Sequence, residues 1–431
     1  MKKNQNTVGL HPFLMLWGSQ SVSAMGTAMT NYALVIWVYN QNGTASSISV
    51  LTLCSFLPTI LFRFLAGAIA DRWDKKRIML ISDLLAACGT FATFALYATS
   101  TLRIVHLYVI NFLLSLMNAF QVPAAYVATS SLVPREYYAR ADGLQAISNA
   151  LISILSPVLG SIVLTRGSMR AVLAIDLITF AIAFLTLLFI RIPKIEGRRE
   201  FTESFRQTCL SGLRYLKEHL HILRLIGYIA AVNFLAKLGP DGLMSAFILS
   251  RTNGDQAALG AVQSAVALGL LTGGTLATFM KPTRDHVRMV FIMCCLIFIA
   301  GIALALGTNT ISWVVAAFLQ YLFAAVMNVH WSALMRSVVP LDVQGRVFSV
   351  RDTLQNCTIP LGLYWGGALA DFVFEPLMAR ESANEKLFSI FFGSGSGAGI
   401  AVLFFLVSTA GLALSVACMN MRIFRNHHSD E

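Results

Sequence analysis

The sequence predicts an all-α integral membrane protein with twelve transmembrane helices. Of its 431 residues, 56% are hydrophobic and only 12% are charged, about half the charge of an ordinary soluble chain. A span needs about 20 apolar residues, so this length and composition accommodate about a dozen spans and no large soluble domain. Most of the 32 Lys and Arg residues fall on one predicted side of the membrane, which by the positive-inside rule places both termini in the cytoplasm.

Twelve apolar runs define the predicted spans, and most connections between them are short. The runs cover residues 12–39, 47–70, 77–99, 104–131, 140–165, 169–191, 222–249, 256–280, 287–307, 311–335, 344–373 and 398–421. Short connections make neighbouring helices antiparallel. No cleavage site follows the first run, so span 1 is expected to be retained rather than removed as a signal peptide.

A long basic segment between the sixth and seventh runs divides the chain. Its apolar residues recur at near-helical spacing: Phe201, Phe205, Leu213 and Leu216. This pattern predicts an amphipathic helix on the inner membrane surface. The predicted domains are therefore an N-terminal six-helix bundle at 1–191, a cytoplasmic linker at 192–221 and a C-terminal six-helix bundle at 222–431.

The two predicted bundles show signs of an internal repeat. Val133-Pro134 is followed by Arg140, and Val339-Pro340 is followed by Arg346, with the same spacing in both halves. Two halves of similar topology around a midplane cavity are a common plan of secondary transporters.

Several function classes are disfavoured by composition. The net charge of +11 is concentrated on one side of the membrane, where it faces anionic lipid rather than nucleic acid. None of the seven Cys residues falls in a predicted outer loop, and no paired Cys or His spacing indicates a metal site. The glycine-rich segment 393–399 follows no strand, so it predicts a flexible outer turn rather than a nucleotide loop. We find no nucleophile–base constellation and expect no enzyme activity.

A charged turn connects the second and third predicted spans. It reads Gly67-Ala-Ile-Ala-Asp71-Arg72-Trp-Asp74-Lys75-Lys76-Arg77. Its pattern and position resemble the loop between spans 2 and 3 of major facilitator superfamily transporters. The residues that match that loop are Gly67, Asp71, Arg72, Lys75 and Lys76, whereas Asp74 stands where the family usually has Gly.

The resemblance implies a latch on the cytoplasmic side. In that family the Asp holds the two halves together when the inner gate is shut, and a half-buried charge pair can bias such an equilibrium by a few kcal/mol. We assign Arg77, Arg140 and Arg346 to the same gate. The plainer alternative is that these cations satisfy the positive-inside rule and reach lipid headgroups.

Further segments resemble the macrolide-efflux-like branch of drug exporters. They are Asn118-Ala-Phe120, Pro123-Ala124, Leu132-Val-Pro134-Arg135-Glu136, Ser156-Pro157-Val-Leu-Gly160, Arg191-Ile-Pro193-Lys194, and Gly345-Arg346-Val-Phe348-Ser349 with Pro360-Leu-Gly362. The resemblance implies a major facilitator fold of two pseudo-symmetric bundles. It also implies export of amphipathic, macrolide-like drugs or metabolites by proton antiport and alternating access. The expected setting is a monomer in lipid, in a bacterial cytoplasmic membrane, with a small-molecule substrate and no cofactor beyond the proton gradient.

Polar residues inside the spans are the candidate functional groups, because an ionisable group in hydrocarbon costs several kcal/mol unless it is paired or hydrated. The candidates for proton coupling are Asp176, Lys237, Asp241 and His330. The candidates for a substrate cavity are Asn31, Tyr32, Arg63, Asn118, Gln121, Gln145, Asn149, Asn328, His330, Trp331, Arg351, Gln355 and Asn356. The proton-coupling candidates also have structural interpretations. Lys237 and Asp241 could form an ion pair, His330 could bond one helix to another, and the carboxylate of Asp176 could reach water.

Four local expectations can be compared directly with a structure. Gly239-Pro240 predicts a bend in span 7, because proline removes a backbone donor. Asp83 is expected to pair with Arg77 or another inner-loop cation. Arg351 is expected to face the cavity or an acid in the first half, because Asp352 points about 100° away on a helix. The segment 367–371 repeats the first five residues of the charged turn, from Gly67 to Asp71, almost perfectly in type. We expect it to pack against another helix and to end in solvent.

Two other functions remain open. One is an importer or facilitator of a small solute such as a sugar or organic anion, in which Arg63 and Arg351 clamp a carboxylate. The other is a lipid-handling membrane protein without transport activity.

Overall fold

The computed structural model describes residues 10–72, 74–133, 138–190, 192, 213–280, 285–340, 344–379 and 389–421, and it contains helices and no strands within these ranges. For residues 63–72, 138–140 and 344–346 the description covers the backbone alone. Helices occur at all twelve positions predicted from the apolar runs, so the all-α prediction is confirmed.

The chain packs as two compact units. Unit 1 comprises Met1–Val38 and Leu51–Arg199, and unit 2 comprises Tyr39–Val50 and Glu200–Glu431. The junction between the first two helices therefore groups with the second half of the chain.

The first six helices follow the predicted runs closely. They are α1 (Leu10–Asn42), α2 (Ala45–Arg72), α3 (Lys75–Ala98), α4 (Ile104–Leu132), α5 (Tyr138–Arg166) and α6 (Met169–Phe189). In unit 1, one apolar cluster joins residues from α1, α3, α4, α5 and α6, including Phe13, Met79 and Leu132, each at most 3% exposed.

The remaining helices include two interrupted spans. They are α7 (Leu220–Leu238), α8 (Pro240–Arg251), α9 (Gln256–Phe279), α10 (His286–Leu306), α11 (Thr310–Val338), α12 (Gln344–Asn356), α13 (Ile359–Leu369), a π-helix (Ala370–Phe374), α14 (Glu375–Ala379) and α15 (Ala398–Asn420). Span 7 thus consists of α7 and α8, and span 11 runs from α12 through α14.

Proline explains where both spans break. α8 begins at Pro240 and α13 has Pro360 in its first turn, where the missing backbone N–H is tolerated. The bend predicted at Gly239-Pro240 is confirmed, whereas the break after Asn356 was not anticipated.

Ten helical stretches in the described residues are long and apolar enough to cross a membrane, and Ala45–Thr59, the first part of α2, is a shorter apolar stretch. α1 is not among the ten, although it is 33 residues long. Its many Ser, Thr, Asn and Gln residues lower its hydropathy, and several of them belong to the site described below.

The predicted amphipathic linker helix lies mostly outside the described residues. Residues 213–218 are helical, with Arg214 and Lys217 exposed. Leu216 is fully buried in the apolar core of unit 2. This part of the linker therefore packs its apolar side on protein.

Candidate functional site

The charged turn between α2 and α3 is organised by Asp74. This residue is the N-cap of α3, and its Oδ1 atom accepts a hydrogen bond from the backbone N–H of Arg77 at 3.0 Å. An Asp here satisfies a donor that would otherwise lack a partner in the first helical turn. Asp74, which departs from the family pattern, therefore has a local structural role.

Lys76 contacts the end of α6 within unit 1. Its Nζ atom donates to the carbonyl oxygens of Leu188 and Ile190, both at 2.8 Å. These carbonyls lie at the end of α6, where the last C=O groups have no partner inside the helix. Lys76 therefore caps α6.

The other gate residues cannot be assigned contacts in this way. The structure describes only the backbone of Gly67, Asp71, Arg72, Arg140 and Arg346, and the same holds for Arg63. The latch stays a prediction.

Asp83 is buried between two glutamines. Its side chain is 4% exposed, its Oδ2 accepts from Gln20 Nε2 at 3.3 Å, and its Oδ1 accepts from Gln121 Nε2. The expectation that Asp83 pairs with Arg77 was wrong: Arg77 is exposed in the first turn of α3. Gln121, one of the predicted cavity residues, faces this carboxylate.

Asp176 is buried among threonines. It is 2% exposed, its Oδ1 accepts from Thr27 Oγ1 at 3.0 Å, and its Oδ2 accepts from Thr90 Oγ1 at 3.3 Å. α1 approaches closely here, because a Cβ atom on Gly26 would come within 2.4 Å of Thr179 Oγ1. The alternative that Asp176 reaches water does not hold in this conformation.

The Lys237–Asp241 pair bridges the break in span 7. Lys237 Nζ lies 2.7 Å from Asp241 Oδ2, with the two side chains 20% and 24% exposed. Tyr321 of α11 also donates its hydroxyl hydrogen to Asp241 Oδ1. Span 7 is thus held across its break by an ion pair and by a third helix.

A polar network surrounds the break in span 11. Trp331 Nε1 donates to Gln355 Oε1 at 3.1 Å, and Asn233 Nδ2 donates to the Gln355 carbonyl at 2.9 Å. Thr358 Oγ1 donates to the Ala230 carbonyl at 2.8 Å. Side chains thereby satisfy backbone groups near both interrupted spans. This network joins three predicted cavity residues, since Asn356 Oδ1 also lies 3.4 Å from Asn233 Nδ2.

Arg351 has an acid within its own helix. Its Nε and Nη2 atoms donate to Asp352 Oδ1 at 3.0 and 2.7 Å, and its guanidinium lies 4.6 Å from the centre of the Phe348 ring. Arg351 and Asp352 were expected to point apart, but the long Arg side chain curls back to its neighbour. Gln355 Nε2 lies 3.4 Å from the same carboxylate oxygen, which links this pair to the network.

His330 faces a second histidine. Its Nδ1 atom lies 3.2 Å from Nδ1 of His286, so one ring donates and the other accepts. Its buried Nε2 atom has no hydrogen-bond partner among the described residues. The pair connects α10 to α11.

The remaining cavity candidates differ in exposure. Five amide residues are exposed: Asn31, Asn118, Gln145, Asn149 and Asn328. Gln145 donates to Asn149 at 3.2 Å. Tyr32, in contrast, is 8% exposed, and a Cβ atom on Gly160 would lie 3.0 Å from its ring.

The carboxylate of Asp371 was expected to lie in solvent, but it is bonded to protein. Its carboxylate accepts from the backbone N–H groups of Ala45 at 2.9 Å and Ser46 at 2.7 Å, and from the Ser46 hydroxyl. All three residues belong to unit 2. The motif copy at 367–371 therefore caps the first turn of α2, a position where a negative charge is favourable.

Several partners in these clusters were not identified from the sequence. They are Gln20, Thr27, Thr90, Asn233, His286 and Tyr321. For the first three, a usable signal existed: polar residues recur seven positions apart on both α1 and α3, which places them on one helix face. Within the described residues, no group of three or more metal-ligating side chains occurs.

Comparison with known proteins gives consistent matches along most of the chain. A family model described as Major Facilitator Superfamily matches residues 16–356. Macrolide efflux protein A of Streptococcus pyogenes is 24% identical over 366 residues, covering 83% of this chain and 89% of that protein. Multidrug efflux pump Tap of Mycolicibacterium fortuitum is 24% identical over 374 residues, covering 84% and 89%.

A solved structure supports the same architecture. The crystal structure of a mutant of the nucleoside transporter NupG matches with a TM-score of 0.73 and 14% identity, covering 95% of this chain and all of that one. At this identity the likeness concerns the fold alone.

Proposed function

The chain belongs to the Major Facilitator Superfamily and is a transporter rather than an enzyme, and we propose that it exports amphipathic drugs or metabolites of the macrolide kind. The observation that carries the proposal is the similarity to Macrolide efflux protein A along 83% of the chain. Similarity to a multidrug efflux pump over 84% of the chain supports the same direction of transport.

The polar network at the span 11 break suits such a substrate. It presents indole and amide groups, from Trp331, Gln355 and Asn233, which donate and accept hydrogen bonds without carrying charge. The charge of Arg351 is balanced by Asp352. A large compound with hydroxyl and carbonyl groups on an apolar ring matches this combination better than a small anion.

The mechanism we propose is alternating access coupled to proton antiport. In transporters of this kind, substrate sites lie where spans are discontinuous, because exposed backbone there lines a cavity. Spans 7 and 11 are both discontinuous, and they pack against each other within unit 2. The proton site is proposed among Asp176, Lys237, Asp241 and His330, of which Asp176 is the most buried carboxylate.

The charge distribution supports an orientation in the membrane. The basic turn at residues 72–77 and the basic linker would face the cytoplasm, together with both termini. We propose the cytoplasmic membrane of a bacterium as the location, with lipid and small molecules as partners.

The import alternative depends on two arginines that would clamp a carboxylate. Arg351 is already bonded to Asp352 through two nitrogen atoms. Binding an organic anion there would require this pair to open, which disfavours the alternative.

The test is efflux by the full-length chain in a drug-hypersensitive bacterial strain. We expect expression to raise resistance to erythromycin and lower its accumulation, and a proton uncoupler to abolish both effects. Everted membrane vesicles should take up erythromycin when acidified inside. Equal accumulation with and without the protein, at matched membrane levels, would contradict the proposal.

A matched pair of variants tests the site. Gln355→Leu removes the amide at the break, whereas Gln263→Leu removes an amide that bonds Ser245 elsewhere in unit 2. We expect the first to lose most resistance and the second to keep it. Equal losses would assign the effect to packing rather than to substrate binding.

A further inference from the structure

Unit 1 contains two buried carboxylates whose partners are all neutral. One cluster, here the Asp83 layer, consists of Gln20, Asp83 and Gln121. The other, the Asp176 layer, consists of Thr27, Thr90 and Asp176. The carboxylate side chains are 4% and 2% exposed, and neither forms an ion pair with a described residue.

The two layers are stacked along the same pair of helices. α1 contributes Gln20 and Thr27, and α3 contributes Asp83 and Thr90, so both helices advance by seven residues between layers. Seven residues make about two turns and a rise of about 10 Å on one helix face. Ser23, which is 8% exposed, lies between Gln20 and Thr27 on this face of α1.

The four helices that form the two layers carry few permanent charges near them. Within α1 and α4 there is no Lys, Arg, Asp or Glu, and their histidines lie at the ends, at His11 and in the first turn of α4. On α3, the three cations of the first turn precede Asp83 by at least six residues, about 9 Å of helix. On α6, Arg170 reaches the Ala98 carbonyl rather than either carboxylate.

A carboxylate in this setting is well suited to binding a proton. Removing its charged form from water is costly without a cation, and a bound proton removes that cost. The partners can accommodate both forms, because hydroxyl and carboxamide groups accept as well as donate. A threonine hydroxyl can rotate to accept the acid O–H, and a glutamine side chain can turn its Oε1 atom toward it.

We propose that Asp83 is a proton-binding site that works with Asp176, so that unit 1 holds the coupling proton at two depths about 10 Å apart. Binding adds one proton to a carboxylate oxygen and release returns it, with no other bond changed. The inference rests on the proposed proton-coupled function and extends it to a residue outside the coupling candidates named above.

A transport-independent measurement tests the site directly. In infrared difference spectra of the purified full-length protein at varied pH, each protonated carboxyl group adds a C=O stretching band. We expect Asp83→Asn to remove one such band and Asp176→Asn to remove another. The control Asp255→Asn, at an exposed helix N-cap where Asn serves equally well, should remove none of the buried-carboxyl bands. Unchanged buried-carboxyl bands in Asp83→Asn would overturn the proposal.

Transport in proteoliposomes tests coupling. Erythromycin efflux driven by an imposed pH gradient is compared with erythromycin counterflow, which needs no net proton movement. We expect Asp83→Asn to lower the ratio of gradient-driven to counterflow transport at least tenfold, and Asp83→Glu to restore part of it. A ratio equal to that of the wild type would overturn the role of Asp83.

Three further outcomes are informative. If Asp83→Asn cannot be purified, Gln121→Met serves as the test variant, because it keeps the side-chain volume and removes the hydrogen bond that Gln121 donates to Asp83. We expect this variant to move the pH midpoint of the Asp83 band, and an unmoved midpoint counts against the proposal. If added sodium removes the band at constant pH, the layer binds a metal cation and the proton assignment is overturned. Absence of erythromycin transport by the wild type would refute the proposed function, whereas the infrared result would still show whether Asp83 binds a proton.

Discussion

Removing either partner of the Lys237–Asp241 pair should reveal a strong interaction across the break in span 7. The Nζ–Oδ2 distance is 2.7 Å, and both side chains are at least three-quarters buried. Exposed ion pairs contribute about 0–1 kcal/mol, whereas hydrogen bonds to charged groups in less hydrated sites contribute about 1.5–3 kcal/mol. Because Tyr321 still bonds Asp241 when the lysine is removed, we expect a coupling energy of about 2 kcal/mol.

A double-mutant cycle measures this coupling energy. Lys237→Met, Asp241→Asn and the double variant are unfolded in mixed micelles, and the free energy of unfolding is followed by circular dichroism. As a control, Lys237→Met is combined with Asp255→Asn at a distant helix cap, where we expect the two effects to add within about 0.5 kcal/mol. A coupling energy below about 0.5 kcal/mol for the 237–241 cycle would refute the reasoning.

The same variants decide between the two interpretations of the pair. If the pair takes part in proton coupling, Lys237→Met should change the pH dependence of erythromycin efflux. If it only holds the broken span together, transport should fall with stability and keep its pH profile.

The remaining predictions concern helix capping, substrate binding and packing. Asp371→Ala should lower the free energy of unfolding by about 1–2 kcal/mol by uncapping α2, as measured by thermal unfolding. Asp371→Asn should lower it less, because the carboxamide keeps one of the two acceptor oxygens. Trp331→Phe removes the donor to Gln355 and should weaken erythromycin binding about fivefold, measured by equilibrium dialysis. Gly273→Leu should abolish the monodisperse peak in size-exclusion chromatography, because a Cβ atom there would lie 2.3 Å from a carbonyl oxygen of α11; Gly274→Leu, with open space around it, should not.

Helix positions were predictable because hydropathy is a property of a short local stretch of sequence. A run of about 20 apolar residues must be helical in a bilayer, since the backbone finds no other hydrogen-bond partners there. The break at Gly239-Pro240 was predictable for the same reason: proline lacks the donor. The break after Asn356 was harder to see, because Pro360 sits in the first turn of the following helix rather than at the interruption itself.

The local pattern marks the helix faces that carry polar side chains, but it does not show which residues bond each other. Asp83 was assigned to a nearby cation, but the rotation of α3 turns it toward Gln20 and Gln121, more than 30 residues away in sequence. The expectation that Arg351 and Asp352 point apart was wrong for another reason. It used the directions of Cα–Cβ bonds, whereas a side chain of that length reaches an adjacent carboxylate.

The two units handle charge differently, and this difference bears on mechanism. In unit 2, Asp241 and Asp352 are matched by Lys237 and Arg351, so a change in protonation would leave a cation without its partner. In unit 1, Asp83 and Asp176 face side chains that can both donate and accept hydrogen bonds. A proton can therefore bind or leave at small structural cost. On the proposed antiport function, the coupling proton would therefore bind in unit 1. The broken spans of unit 2, where these two ion pairs lie, would bind the amphipathic substrate. Coupling then requires that protonation in unit 1 alter substrate affinity in unit 2, so erythromycin affinity should vary with pH in the wild type and less so in Asp83→Asn.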